Sequence, residues 1–349
     1  MSKSFDERMA RCPLKQDIRD KLWVPYARKL AGRGVLSKYL TLYSPPMMDI
    51  KHLQRKGLLA YDGETFNGVV TVAYEEAHFG DAISRSSGRP ELFLEGDINH
   101  LLTEKKTRRA KQLRNMFPFQ VINLDYNNSV FFREDDKRIS ENLKGIGEIF
   151  RLQRQANCRE FVLFVTTRAD AGARGSRGQL SGSFLDDLSK RITENVKMSQ
   201  AFSRAYRAAF GDVSAKALQR EKYRDFVPVG IAKLVAGMLA VQRYEIISAD
   251  AHMLVRDDKS PEIWLLHLAF RVRLEQVPRA TTLGGLGRPR KLDFERKLAR
   301  FVRTVGEGGV TWLRETADRE RLETQHGEYM RELASQTVDL PIPEHREDA

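Results

Sequence analysis

Residues 121–166 read VINLDYNNSVFFREDDKRISENLKGIGEIFRLQRQANCREFVLFVT. This stretch decides the fold. Val121–Leu124 and Phe161–Thr166 are short apolar runs rich in β-branched and aromatic residues, as in strands buried on both faces. Lys137–Ala156, between them, reads as a helix. Strand, helix, strand in sequence makes a βαβ unit and hence a parallel pair of strands.

The same alternation continues outward. Upstream, Tyr39–Tyr43 (YLTLY), Gly68–Tyr74 (GVVTVAY) and Glu91–Leu94 (ELFL) read as strands. Asp49–Lys56, Glu76–Ser84 and Asn99–Met116 read as the helices that separate them. Downstream, Phe184–Phe210 and Pro228–Tyr244 read as helices. Tyr244–Val255 and Ile263–Leu274 then form a hairpin across the turn DDKSPE. The expected fold class is α/β, a mostly parallel sheet ending in an antiparallel hairpin. Residues 1–35 form a charged helical extension, with Trp23, Tyr26 and Leu30 along one face. Residues 36–275 form the α/β domain. Residues 276–349 form a basic loop and a charged helical extension. No internal repeat is visible.

The chain has 349 residues, 41% hydrophobic and 30% charged, with a formal net charge of +12. That composition supplies a globular core. The surplus charge fits a polyanionic partner, nucleic acid above all, or simply a basic soluble protein. Cys12 and Cys158 have no Cys or His neighbour at metal-ligand spacing, which argues against a zinc site or a disulfide framework. The apolar runs are too short for a membrane span, and the N-terminus lacks the apolar core of a signal peptide. A cytoplasmic protein without metal or membrane contact is expected.

The order of five parallel-type strands followed by a hairpin resembles the class I S-adenosylmethionine (SAM)-dependent methyltransferases over residues 36–275. The resemblance implies a Rossmann-like fold, SAM as cofactor, and a ligand outside the carboxyl ends of the strands. At the first strand end stands Tyr43-Ser44-Pro45-Pro46-Met47-Met48-Asp49. The family carries an acid and a Gly-rich turn there. This chain has prolines, which lack amide donors, so the loop is degenerate. Ser44 and Asp49 are the implied cofactor residues. At the second end, Glu75 or Glu76 would accept bonds from ribose hydroxyls, or would complement a helix dipole. At the third, Asp97 would receive the adenine amino group above Ile98. Alternatively, Asp97 or Asn99 caps the next helix.

The fourth strand ends at Asp125-Tyr126-Asn127-Asn128. The resemblance implies the methyl-acceptor site here: carbonyl acceptors for an amino group and a ring on which a base stacks. The family's two prolines are absent, and a polar Asx turn is the alternative reading. Cytosine-C5 chemistry needs a thiolate, and its sole candidate is Cys158, just before the fifth strand.

Three basic segments suit a polyanion. Lys105, Lys106, Arg108 and Arg109 lie in a run that reads as a solvated helix face or as a phosphate-contacting one. Arg174 and Arg177 belong to the Gly/Ser/Arg-rich loop Arg168–Ser183. Gly287-Arg288-Pro289-Arg290-Lys291 resembles an AT-hook, in which Arg288, Arg290 and Lys291 would enter the minor groove. A basic linker is the alternative. His52, His78, His100 and His267 look dispersed. Two functions follow. One is SAM-dependent methyl transfer on or beside nucleic acid in a prokaryotic cytoplasm. The other is a non-catalytic subunit that binds nucleic acid or protein in a larger assembly, such as an antiviral defence complex, with a decayed cofactor site.

Overall fold

The computed structural model describes residues 13–43, 47–74, 89–126, 129–131, 140–169, 182–256, 263–275, 298–303, 305, 311–314, 320–322 and 324–328. Ser44, Glu75, Glu76, Asn127, Asn128, Arg174, Arg177, Arg288, Arg290 and Lys291 lie outside the described residues, as do the expected helix Glu76–Ser84 and most of the basic loops.

Among the described residues, the apolar runs of the sequence are strands of one nine-stranded sheet. Its parallel part contains β1 (Tyr39–Leu42), β3 (Thr65–Ala73), β4 (Arg89–Glu95), β5 (Val121–Asp125) and β6 (Glu160–Arg168). They lie in the order β4, β3, β1, β5, β6, all parallel. The hairpin β7 (Tyr244–Arg256) and β8 (Ile263–Leu274) follows. Its second strand returns to pair antiparallel with β6, so β8 separates β6 from β7. This is the α/β, Rossmann-like methyltransferase fold that the sequence implied.

Burial explains why these runs form the centre. Phe161 through Val165 are at most 1% exposed. Neighbouring residues alternate between two cores, as a pleated strand requires. Tyr39, Val69, Val121 and Val162 enter one, while Leu40, Val70, Ile122 and Leu163 enter the other. At Gly68 the backbone adopts φ +76°, and a Cβ there would stand 2.1 Å from the Ser37 carbonyl oxygen. Only glycine fits this approach of β3 to the entry of β1.

Several details differ from the sequence reading. The short strand β2 (Ala60–Tyr61) pairs antiparallel with β3. The strand β9 (Thr311–Arg314) pairs parallel with β7, in a segment expected to be helical, so the hairpin is not the sheet's edge. The expected helix Asn99–Met116 is two helices. Each has its own cap: Asp97 for Ile98–Thr103, and Thr107, which accepts from the Ala110 amide at 3.3 Å, for Arg108–Asn115. Phe184–Phe210 likewise divides into Gly182–Met198 and Gln200–Phe210. Ser199 there is extended and accepts from the Phe202 amide at 3.3 Å. Side-chain caps inside a run of good helix formers end one helix and begin another. The last long helix starts earlier than expected, at Tyr223, and ends at Val241 with Pro228 inside it.

In chain order the helices are α1 (Pro13–Ile18), α2 (Val24–Ala31), α3 (Met48–Arg55), α4 (Ile98–Thr103), α5 (Arg108–Asn115), α6 (Glu141–Gln155), α7 (Gly182–Met198), α8 (Gln200–Phe210), α9 (Ala215–Glu221) and α10 (Tyr223–Val241). A π-helical turn, Arg19–Trp23, joins α1 to α2. This N-terminal run and α3 cover one face of the sheet. Leu14, Ile18 and Leu22 are buried there, and Trp23 stacks on Phe164 at 5.5 Å. The N-terminal helices are thus a layer of the core. Among the described residues no helix is long and apolar enough to cross a membrane.

Candidate functional site

Open α/β sheets hold ligands outside the carboxyl ends of their strands. Asp49, Asp97 and Asp125 all follow strands there, and each already has a partner within the protein. Asp49, in the first turn of α3, is buried. Its Oδ2 accepts from the Tyr39 hydroxyl at 2.7 Å and from Thr41 Oγ1 at 2.8 Å. Thr41 in turn accepts from Asn123 Nδ2 at 3.2 Å. The carboxylate ties α3 to the middle of the sheet.

Asp97 is the N-cap of α4. Its Oδ1 accepts from the Asn99 amide at 2.6 Å and the His100 amide at 3.4 Å. The capping alternative is therefore the observed one. Ile98 is buried in the core. Tyr126 belongs to the same core, and its hydroxyl lies 3.4 Å from Asn99 Oδ1. Burial, with Asp97 nearby, pushes its phenol well above the ordinary range. At 7% exposure the ring offers no open face for a base to stack on, contrary to the role implied by resemblance.

Asp125 closes the end of β5. Lys15, from α1, donates to its Oδ2 at 2.9 Å, with side-chain exposures of 12% and 21%. Burial alone would raise this carboxyl. Lys15, with His267 and Arg19, outweighs burial and holds it below the usual carboxylate range. The acid expected to grip a methyl acceptor is thus gripped by a lysine from 110 residues upstream.

Lys15 belongs to a polar seam between the N-terminal helices and the sheet. Gln16 Nε2 lies 2.9 Å from His52 Nδ1, while His52 Nε2 lies 3.1 Å from Asp20 Oδ1. A neutral imidazole protonated at Nε2 satisfies both contacts, and burial does push His52 below its usual value. Lys56 reaches Asp20 at 3.0 Å, and Lys21 reaches Asp17 at 2.8 Å. His326 Nε2 lies 3.6 Å from Asp17. The Tyr26 hydroxyl donates to Asp250 at 2.6 Å. On the sheet, Thr166 Oγ1 is 2.8 Å from Nδ1 of His267, whose register partner on β7 is His252. Burial drives His267 down to about 3.

The sequence reading of the histidines needs correction. His52, His252, His267 and His326 are all buried on this one seam, while His100 is exposed. No spacing reveals this, because the seam joins residues from both ends of the chain. Lys15, Gln16 and Arg19 were missed for a related reason. Polar helix positions read as solvent-facing unless the opposite surface is known to be polar too.

Chemically the seam sets paired charges beside buried imidazole nitrogens, His252 Nδ1, His267 Nε2 and His326 Nε2, that make no hydrogen bond among the described residues. Among the described residues no group of three or more His, Cys, Asp or Glu side chains could hold a metal ion. Cys158 is buried, and burial pushes its thiol up to about 11, so it is no thiolate nucleophile at neutral pH. The basic run behaves differently. Lys105, Lys106, Arg108 and Arg109 are exposed, the first two in the turn before α5 rather than on a helix. Arg109 pairs with Glu95 at 2.6 Å.

Comparison with solved structures finds distant likenesses. The N-methyltransferase NodS from Bradyrhizobium japonicum WM9 is 12% identical, covering 75% of this chain and 98% of that chain, with a TM-score of 0.36. A SAM-dependent methyltransferase from Methanosarcina mazei is 10% identical, covering 70% and 96%, with a TM-score of 0.32. Phosphoethanolamine N-methyltransferase 2 from Haemonchus contortus, in complex with SAM, is 11% identical, covering 79% and 61%, with a TM-score of 0.27. These likenesses carry no functional argument, and the fold stands on the strand order itself. No curated protein matches. One family model, described as PP_RS20740-like, matches residues 93–303.

Proposed function

This chain belongs to the PP_RS20740-like family, and from the site geometry we propose a methyltransferase-fold protein that binds beside nucleic acid as a non-catalytic subunit. The observation that carries this reading is the Lys15–Asp125 pair at 2.9 Å. In an amino-methylating site the acid at this strand end must be free to accept from the substrate. Here it is spent on docking α1, and Asp49 is spent on Tyr39 and Thr41. The surfaces left for a partner are basic: a net charge of +12, with Lys105, Lys106, Arg108 and Arg109 exposed. Phosphate contacts of this kind position a nucleic acid without reading its sequence.

Calorimetric titration with SAM and with S-adenosylhomocysteine tests the reading. Neither should give measurable heat of binding. A saturable SAM isotherm, abolished by Asp97→Ala, would replace it with the enzymatic reading. One observation favours that second reading: both capping bonds of Asp97 go to Oδ1, so capping and an adenine contact through Oδ2 are compatible.

A further inference from the structure

The helix α8 and the helical residues 298–303 border an open pocket of about 430 Å³. It is lined by Ala201, Arg204, Ala299, Arg300 and Arg303. The sequence explains the arrangement. On α8, Phe202, Ala205 and Tyr206 are buried, which turns Ala201 and Arg204 outward, one helical turn apart. In 298–303, Leu298, Phe301 and Val302 are buried, with Phe301 against Phe270 at 6.3 Å. That anchoring brings Ala299, Arg300 and Arg303 to the same opening. The two alanines are too short to fill it. The three arginines, all exposed, supply the walls.

We propose that Arg204, Arg300 and Arg303 form a phosphate-binding site whose phosphate is supplied by a nucleic-acid backbone. Guanidinium is always charged and presents planar forks that match phosphate oxygens. Among the described residues of the lining there is no aromatic ring on which a base could stack and no side-chain acceptor that could read a base edge. Its chemistry is therefore for phosphate, independent of sequence. The source of the phosphate rests on the nucleic-acid reading above; the site itself does not. The linear sequence conceals the site because Arg204 and Arg300 belong to separate segments.

The test is fluorescence anisotropy of a labelled 20-base-pair duplex and a labelled single strand with the full chain, from 50 to 200 mM salt. Each duplex phosphate contact contributes a slope of about −0.9, or roughly 3.5-fold in affinity over that range. The triple variant R204Q/R300Q/R303Q should flatten the slope by about 3, cutting the salt-dependent loss roughly 40-fold. The lysine triple should keep most of the slope, and thermal melts should show both variants folded. Calorimetry with inorganic tripolyphosphate runs in parallel, and R108Q/R109Q serves as a second surface. Weaker duplex binding by the glutamine triple supports the site. Duplex binding unchanged in that triple but weakened in R108Q/R109Q overturns the site and leaves the nucleic-acid reading standing. Tripolyphosphate bound by the wild type and lost in the triple, with no nucleic acid bound, keeps the site and removes the nucleic-acid reading. Binding of neither probe overturns both.

Discussion

Replacing Lys15 with Met removes one half of an ion pair and leaves its partner in place. Breaking a buried pair from one side costs about 3–5 kcal/mol, because the remaining charge is stranded. Asp125 retains 21% side-chain exposure, so the lower end, about 3 kcal/mol, is appropriate. Unfolding entropy of about 2.1 cal/mol/K per residue over a 349-residue chain gives about 0.7 kcal/mol/K, and hence a drop in Tm of about 4 °C. The pH dependence sharpens the test. In the wild type, the lowered carboxyl contributes stability that is present above its unfolded value of about 3.9 and is lost as pH falls through the folded value. In the variant the main opposing charge is gone, and burial pushes the carboxyl upward. Its penalty is then greatest near neutrality and fades on acidification. Calorimetric melts at pH 7.5 and 4.5 should show the gap between the two proteins narrowing at the lower pH. Lys15→Met with Asp125→Leu should recover most of the loss. A Tm drop under 1 °C, or an equal gap at both pH values, would refute the view that this pair docks the N-terminal helix.

Two further substitutions probe the seam and the sheet. His267 stays neutral in the fold down to about pH 3, whereas the unfolded chain takes up its proton near 6.5. Stability therefore falls as pH drops between those values, and His267→Gln should move the acid-unfolding midpoint in far-ultraviolet circular dichroism downward; a midpoint that stays or rises contradicts the assignment. Gly68→Ala places a Cβ 2.1 Å from a backbone oxygen at φ +76°, and should cost about 2 kcal/mol or more; an unchanged melt would show that β3 can move away from Ser37.

The strands were legible because their apolar character is local and continuous. Phe161–Thr166 and Val121–Leu124 allow no other reading, and the hairpin follows from its DDKSPE turn. What stayed hidden depends on contacts between distant segments. Nothing near Thr311–Arg314 announces a strand, since its pairing with His252–Val255 is set by the exposed edge of β7. The acids were found at the strand ends where they stand, but their partners were not. Asp97 as a cap was legible from its place just before the helix, with Asn99 as the alternative. Lys15 as the partner of Asp125 was not, because a lysine in a charged N-terminal helix gives no sign of which surface it meets. The arginine pocket shares that difficulty, since its two halves come from separate helices.

The bond from Tyr26 to Asp250 spans 224 residues. Synthesis proceeds from the N-terminus, at about 5–20 residues per second. The helical run that carries Lys15 and Tyr26 leaves the ribosome well before Asp250, which is made at least about ten seconds later at those rates. Through that interval Trp23, Leu22 and Ile18 have no completed sheet to cover, and neither do the charges beside them. The earlier-made segment is thus among the last to settle, and the nascent chain carries an amphipathic helical run with no surface to cover until β7 arrives.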